Sequence, residues 1–114
     1  MKIEIVKKKL AAAQLQNLAK ESFGDMVKAV VDIKRGILAL GGELHADAET
    51  ILLRRGSKPE NIWGINIYPD KPLKQRIEFI ALINIRPSLG QRAMEITDPV
   101  IKEKIQEVVN KFLP

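Results

Sequence analysis

The only histidine of this 114-residue chain lies in Gly41-Gly42-Glu43-Leu44-His45-Ala46-Asp47-Ala48-Glu49, so the one side chain that titrates near neutrality has acidic residues on both sides of it. If Glu43 opens a helix here, Glu43 and Asp47 share one side as an i,i+4 pair. His45 and Glu49 then share another side, at the edge of the apolar face. On that geometry Glu49 is the partner of His45: a carboxylate accepting from one imidazole nitrogen fixes the tautomer, raises the pKa and frees the other nitrogen as general acid, base or ligand. A strand would instead line all four polar side chains along one face, like a metal-binding comb. The helical spacing His-x-Asp-x-Glu does not converge on an ion, and the chain has no second histidine and no cysteine, so no metal site is expected. A purely structural role is equally consistent with these residues. Acidic groups in a first helical turn offset the helix dipole, and a lone histidine beside an apolar face commonly packs there with one hydrogen bond.

Two further segments carry donors suited to a ligand. In Ile83-Asn84-Ile85-Arg86-Pro87-Ser88-Leu89-Gly90-Gln91-Arg92, Arg86 and Arg92 offer forked donors, Ser88 a hydroxyl and Gly90 room for backbone amides, a set that suits phosphate or carboxylate. The competing reading is a strand end at Pro87 with arginines in surface ion pairs. Neither the P-loop nor the dinucleotide glycine pattern is present. In Asn61-Ile62-Trp63-Gly64-Ile65-Asn66-Ile67-Tyr68, Asn66 is an unusual strand residue, and Asn84 holds a similar place in its expected partner strand. They form either a satisfied amide ladder or the donors of a pocket beside Arg86. Trp63 is read as core or interface, with a ligand-stacking wall as its other role.

The elements that must position these groups follow from periodicity. Residues 2–7 alternate as a half-buried strand, and residues 11–22 place Leu15, Leu18, Ala19 and Ser22 on one helical face before Gly24. Between Met26 and Leu40, two β-like runs flank Lys34-Arg35-Gly36, a hairpin connection with glycine at the left-handed position. For residues 43–55 the helix is favoured, because Ile51, Leu52 and Leu53 break the alternation and Gly56 marks an end. Residues 61–68 and 76–86 are expected to pair as strands, the second having an apolar outer face at Ile80 and Leu82. Asp98-Pro99 then caps a final helix that buries Ile101, Ile105, Val108 and Phe112. The order βαββαββα over a single domain, residues 1–114, predicts an α+β fold with helices packed on a largely antiparallel sheet.

Composition bounds the function classes. Hydrophobic residues make up 46% and charged residues 29%, which suits a folded domain and leaves too little polarity for disorder. The absence of cysteine removes disulfides and thiolate chemistry, and a cytoplasmic location is expected. No apolar stretch reaches the ~20 residues of a membrane helix, and the amino terminus lacks the apolar core of a signal peptide. The net charge of +5 permits attraction to polyanions, yet beyond Lys7-Lys8-Lys9 the basic residues are interleaved with acidic ones, so nucleic acid is not the expected partner.

The stretches Gly41-Gly42-Glu43-Leu44-His45-Ala46-Asp47 through Gly56-Ser57, Trp63-Gly64-Ile65-Asn66 and Ile83-Asn84-Ile85-Arg86-Pro87-Ser88 give the chain a resemblance to a small prokaryotic family known only as a domain of unknown function. The resemblance spans nearly the whole chain. It implies a stand-alone small protein and supplies no reaction, and Leu89-Gly90-Gln91 is less polar than that likeness would suggest. The reading with most support from the residues is a binder of an anionic small molecule, without a cofactor, in which His45 acts as acid or base and Glu49 orients it. Arg86 and Arg92 hold the anion, and Asn66, Asn84, Ser88 and Trp63 complete the pocket. The rival is a homodimeric structural or interaction protein that uses the face around Ile80 and Leu82.

Overall fold

The computed structural model describes residues 2–114, which form the strands β1 (Ile3–Val6), β2 (Val27–Asp32), β3 (Ile37–Gly41), β4 (Ile62–Ile67) and β5 (Ile77–Glu78). The helices are α1 (Ala12–Ser22), α2 (His45–Arg54) and α3 (Pro99–Phe112). The chain order is the expected βαββαββα, and the strands make one antiparallel sheet in the spatial order β1-β3-β2-β4-β5. The fold is therefore α+β.

Strand alternation sorts the sheet into two faces. Val27, Ala29 and Val31 of β2 and Trp63, Ile65 and Ile67 of β4 point to one side, where Leu15 and Leu18 of α1 and Ile105, Val108 and Phe112 of α3 bury them. The opposite face is smaller. There Val30, Ala39 and Ile62 meet Ala48 and Leu52 of α2. Full burial of a leucine such as Leu52 contributes about 2 kcal/mol, so α2 is held mainly by this short apolar stripe. The β2–β3 hairpin turns through Gly36 at φ 66°, and the buried Asp32 carboxylate serves the turn, accepting from the amides of Lys34 at 3.0 Å and Arg35 at 2.9 Å. Ser57, just beyond α2, donates to the other oxygen of Asp32 at 2.7 Å and so fastens the helix end to the hairpin. Asp98 caps α3 by accepting from the Val100 amide at 2.8 Å.

The expected long strand over residues 76–86 does not form. Only Ile77–Glu78 pair with β4, after which the chain leaves the strand edge, forms a bridge between Ile80 and Glu95, and makes a single 3-10 turn at Leu82–Asn84. Gly64 is the physical reason. A Cβ at this position would stand 2.5 Å from Ala81 Cβ and 3.1 Å from both Ile83 Cγ1 and His45 Cδ2, so the missing side chain lets residues 81–83 lie across the sheet face beside α2. A second difference concerns the start of α2. The helix begins at His45, not Glu43, with Leu44 at the N-cap position, so Glu43 lies outside it and forms no i,i+4 pair with Asp47. Among the described residues no helix is long and apolar enough to cross a membrane.

Candidate functional site

Bringing residues 80–83 over the sheet creates a cleft of about 430 Å³, lined by Met26 and Lys28 of β2 and its approach, Leu44, His45 and Ala46 at the start of α2, Asn66 of β4, and Ile80, Ala81, Leu82, Ile83 and Met94. Its size falls within the ~300–1,000 Å³ of small-molecule sites, and its walls are mostly apolar with a few polar groups among them. Register explains the floor. Lys28 is paired directly with Asn66 across β2 and β4, so both side chains project from the same face, beside the start of α2.

His45 is buried, and its Nε2 lies 2.8 Å from the Ile65 carbonyl oxygen. Since a carbonyl can only accept, Nε2 carries the hydrogen, and in the neutral ring Nδ1 presents a lone pair. The orienting group is thus a backbone carbonyl rather than the Glu49 carboxylate that the sequence suggested. Burial holds the ring below the ordinary histidine value of 6.5; the Ile65 carbonyl opposes that shift, the positive charge of Lys28 adds to it, and the nearby Asn66 amide opposes it. The net direction keeps His45 neutral at pH 7, the form that can take a proton.

Asn66 is 8% exposed. Its Nδ2 donates to Glu78 Oε1 at 2.8 Å and to the Ile80 carbonyl at 3.3 Å, two acceptors that fix the orientation of the amide. Its Oδ1 is buried and accepts no hydrogen bond of sound geometry among the described residues, although the amide lies close enough to the His45 ring to favour the ring's protonated form. Such an atom forgoes the solvation it would have in water at a cost of roughly 1–3 kcal/mol, so it marks a place where a donor is missing. The first turn of α2 is similarly short of partners, because Leu44 provides no side-chain cap and leaves the amides there without a side-chain acceptor.

The remaining candidate ligand-site residues of the sequence, Glu49, Trp63, Asn84, Arg86, Ser88 and Arg92, do not line this cleft. Glu49 forms an ion pair with Arg86 at 3.2 Å, and the Arg86 guanidinium also donates to the Ile62 carbonyl and lies 5.2 Å over the Trp63 ring. Burial lowers the pKa of Arg86 while the Glu49 charge raises it, and the guanidinium remains a cation held by two hydrogen bonds, to Ile62 and Glu49. Asn84 is fully buried and clamps Gly64, accepting from its amide at 2.7 Å and donating to its carbonyl at 2.9 Å and to the Met94 carbonyl at 3.1 Å. Trp63 is core, with its Nε1 unpartnered, and it borders a separate cavity of about 450 Å³ that also includes Glu60 and Asp98. Ser88, within the turn closed by the Arg86 and Gln91 backbones, and Arg92, just after it, are exposed.

The structure therefore brings together His45 and Asn66 from the original set and adds Lys28. Sequence reasoning missed Lys28 because a lone lysine in a strand carries no signal until the β2–β4 register is known. Gly64 was equally silent, although an unexplained glycine within a strand is a sign of close approach. Among the described residues no group of three or more histidine, aspartate or glutamate side chains is placed to hold a metal ion. Residues 4–112 match the model of a family described as protein of unknown function (DUF5674). No match was found among curated proteins or among solved structures.

Proposed function

The chain belongs to this family of unknown function, and from the geometry of its cleft we propose that it binds a small, mostly apolar molecule with an anionic end. In this reading Lys28 and the first turn of α2 meet the anion, Asn66 positions the ligand, and His45 is the acid or base in any proton transfer. The unpartnered Oδ1 of Asn66 is the observation that carries it: a buried acceptor beside a neutral histidine, on the wall of an apolar cleft, is costly for a scaffold and useful for a ligand. Arg86, Arg92 and Ser88 have no part in this site, since Arg86 is occupied by Glu49 and Ile62, and the other two lie away from the cleft.

A thermal-shift screen over aliphatic and aromatic carboxylates of this size tests the proposal. A ligand at 100 times its dissociation constant adds about 2.7 kcal/mol, a displacement of several degrees for a domain of this length. A melting temperature unmoved across the whole panel would sink it. The second reading is self-association, favoured by the exposure of Leu82 (71%) and Leu44 (57%) at the mouth of the same cleft. Light scattering at rising concentration separates the two, because a mass that stays at one chain excludes a dimer.

A further inference from the structure

We infer that the ligand of this cleft is a small hydroxy-carboxylic acid with an apolar tail, an inference that rests on the binding role proposed above. The polar groups around the cavity are of two kinds. Lys28 and the uncapped first turn of α2 supply positive charge and donors. Asn66 Oδ1 and His45 Nδ1 supply only acceptors, because Nδ2 of Asn66 is committed to Glu78 and Ile80 and Nε2 of His45 donates to Ile65.

A carboxylate alone answers the first pair and leaves Asn66 Oδ1 buried without a donor. An alcohol alone answers one acceptor of the second pair and leaves Lys28, whose ammonium lies 5.1 Å from the centre of the Phe23 ring, without an anion. Phosphate, broad enough to cover the whole polar end, would press oxygen lone pairs against both acceptors. A carboxylate next to a hydroxyl answers both kinds of group at once, the carboxylate meeting Lys28 and the helix turn and the single hydroxyl proton going to Asn66 Oδ1, the buried acceptor without a donor. Lys28 and Asn66 are directly opposed on β2 and β4, so their Cβ atoms stand roughly 5 Å apart on one face of the sheet, and a turn of the flexible lysine side chain away from Phe23 brings its charge to the same end of the ligand as the hydroxyl. Leu82, Ile83 and Met94 provide the apolar walls for the remainder.

The test compares α-hydroxyoctanoate, octanoate and the matching vicinal octanediol by titration calorimetry, with amide NMR reporting the site. The hydroxy acid is expected to bind best and to shift the Ala46 and Asn66 signals, with each of the other two weaker by roughly tenfold or more, the worth of one lost hydrogen bond or charge contact. In Lys28→Met its advantage over the diol should vanish. Octanoate binding as tightly as the hydroxy acid, or an advantage over the diol that persists in Lys28→Met, overturns the inference. If those compounds still shift Ala46 and Asn66, the cleft remains a binding site for another class. If none of the three shifts them, the binding role itself fails along with the inference.

Discussion

The two ends of β4 use the same kinds of side chain to opposite effect. At the Ile62–Gly64 end, Asn84 and Arg86 stand in for a neighbouring strand: their side chains bond the backbone of Gly64 and Ile62, and Glu49 and the Trp63 ring take up what is left of the guanidinium. At the Ile65–Ile67 end, His45 and Asn66 are anchored by one half of each side chain and leave an acceptor on the other half. An amide or a basic group in a strand therefore says little about function by its type. The unspent half of the hydrogen-bonding capacity of His45 and Asn66 is what sets them apart from Asn84 and Arg86 and what the proposed binding role rests on.

This contrast can be broken from either end. Arg86→Met should have the largest effect, a loss of roughly 2–4 kcal/mol in urea unfolding, because it strands Glu49 and the Ile62 carbonyl; partial exposure of the pair keeps the loss toward the lower part of that range. A loss below about 1 kcal/mol would mean that the pair fastens nothing. Gly64→Ala comes next, at about 1–3 kcal/mol by overpacking against Ala81, Ile83 and the His45 ring. This variant should also change amide signals along 80–83, since the cleft wall must move. Asn66→Leu should cost less than about 1 kcal/mol, because the lost donors to Glu78 and Ile80 are offset by removal of an unpartnered oxygen, yet it should abolish any ligand-induced rise in melting temperature.

The smallest effect is that of pH on His45. The unfolded histidine takes up a proton as pH falls through 6.5 while the folded ring, with its lowered pKa, stays neutral, so the unfolded state binds more protons and stability declines on acidification. The contribution is complete above that value and is lost progressively below it, until the folded ring protonates in turn. Melting curves of wild type and His45→Gln between about pH 7.5 and 5 should converge as pH falls. Parallel curves would place the ring in water.

Much of the frame was legible in the sequence. The apolar spacing of α1 and α3, the Asp98-Pro99 start and the glycine of the β2–β3 hairpin are local signals, and local geometry honours them. The stretch from Ile77 to Arg86 alternates as cleanly as any strand, but its path is set by the space above Gly64, a contact between residues distant in sequence. The assignment of Glu49 to His45 failed similarly: both lie on α2, yet Arg86, 37 residues further along the chain, reaches Glu49. Asn66 and Asn84 look alike in sequence, and only the partners of their two amide ends distinguish them.

If the cleft binds an anion as proposed, the missing cap of α2 sets stability against affinity at a single residue. Replacing Leu44, which is largely solvent-exposed, by aspartate would give the helix the acceptor it lacks and add about 1 kcal/mol. The same carboxylate would occupy the amides and neutralise the charge that an anionic ligand needs at the cleft. Serine there would cap without the charge. A chain selected only for thermal resistance would be expected to drift toward acidic residues at position 44 and, on the proposed reading, to lose anion binding, a trade between durability and occupancy placed at a helix end.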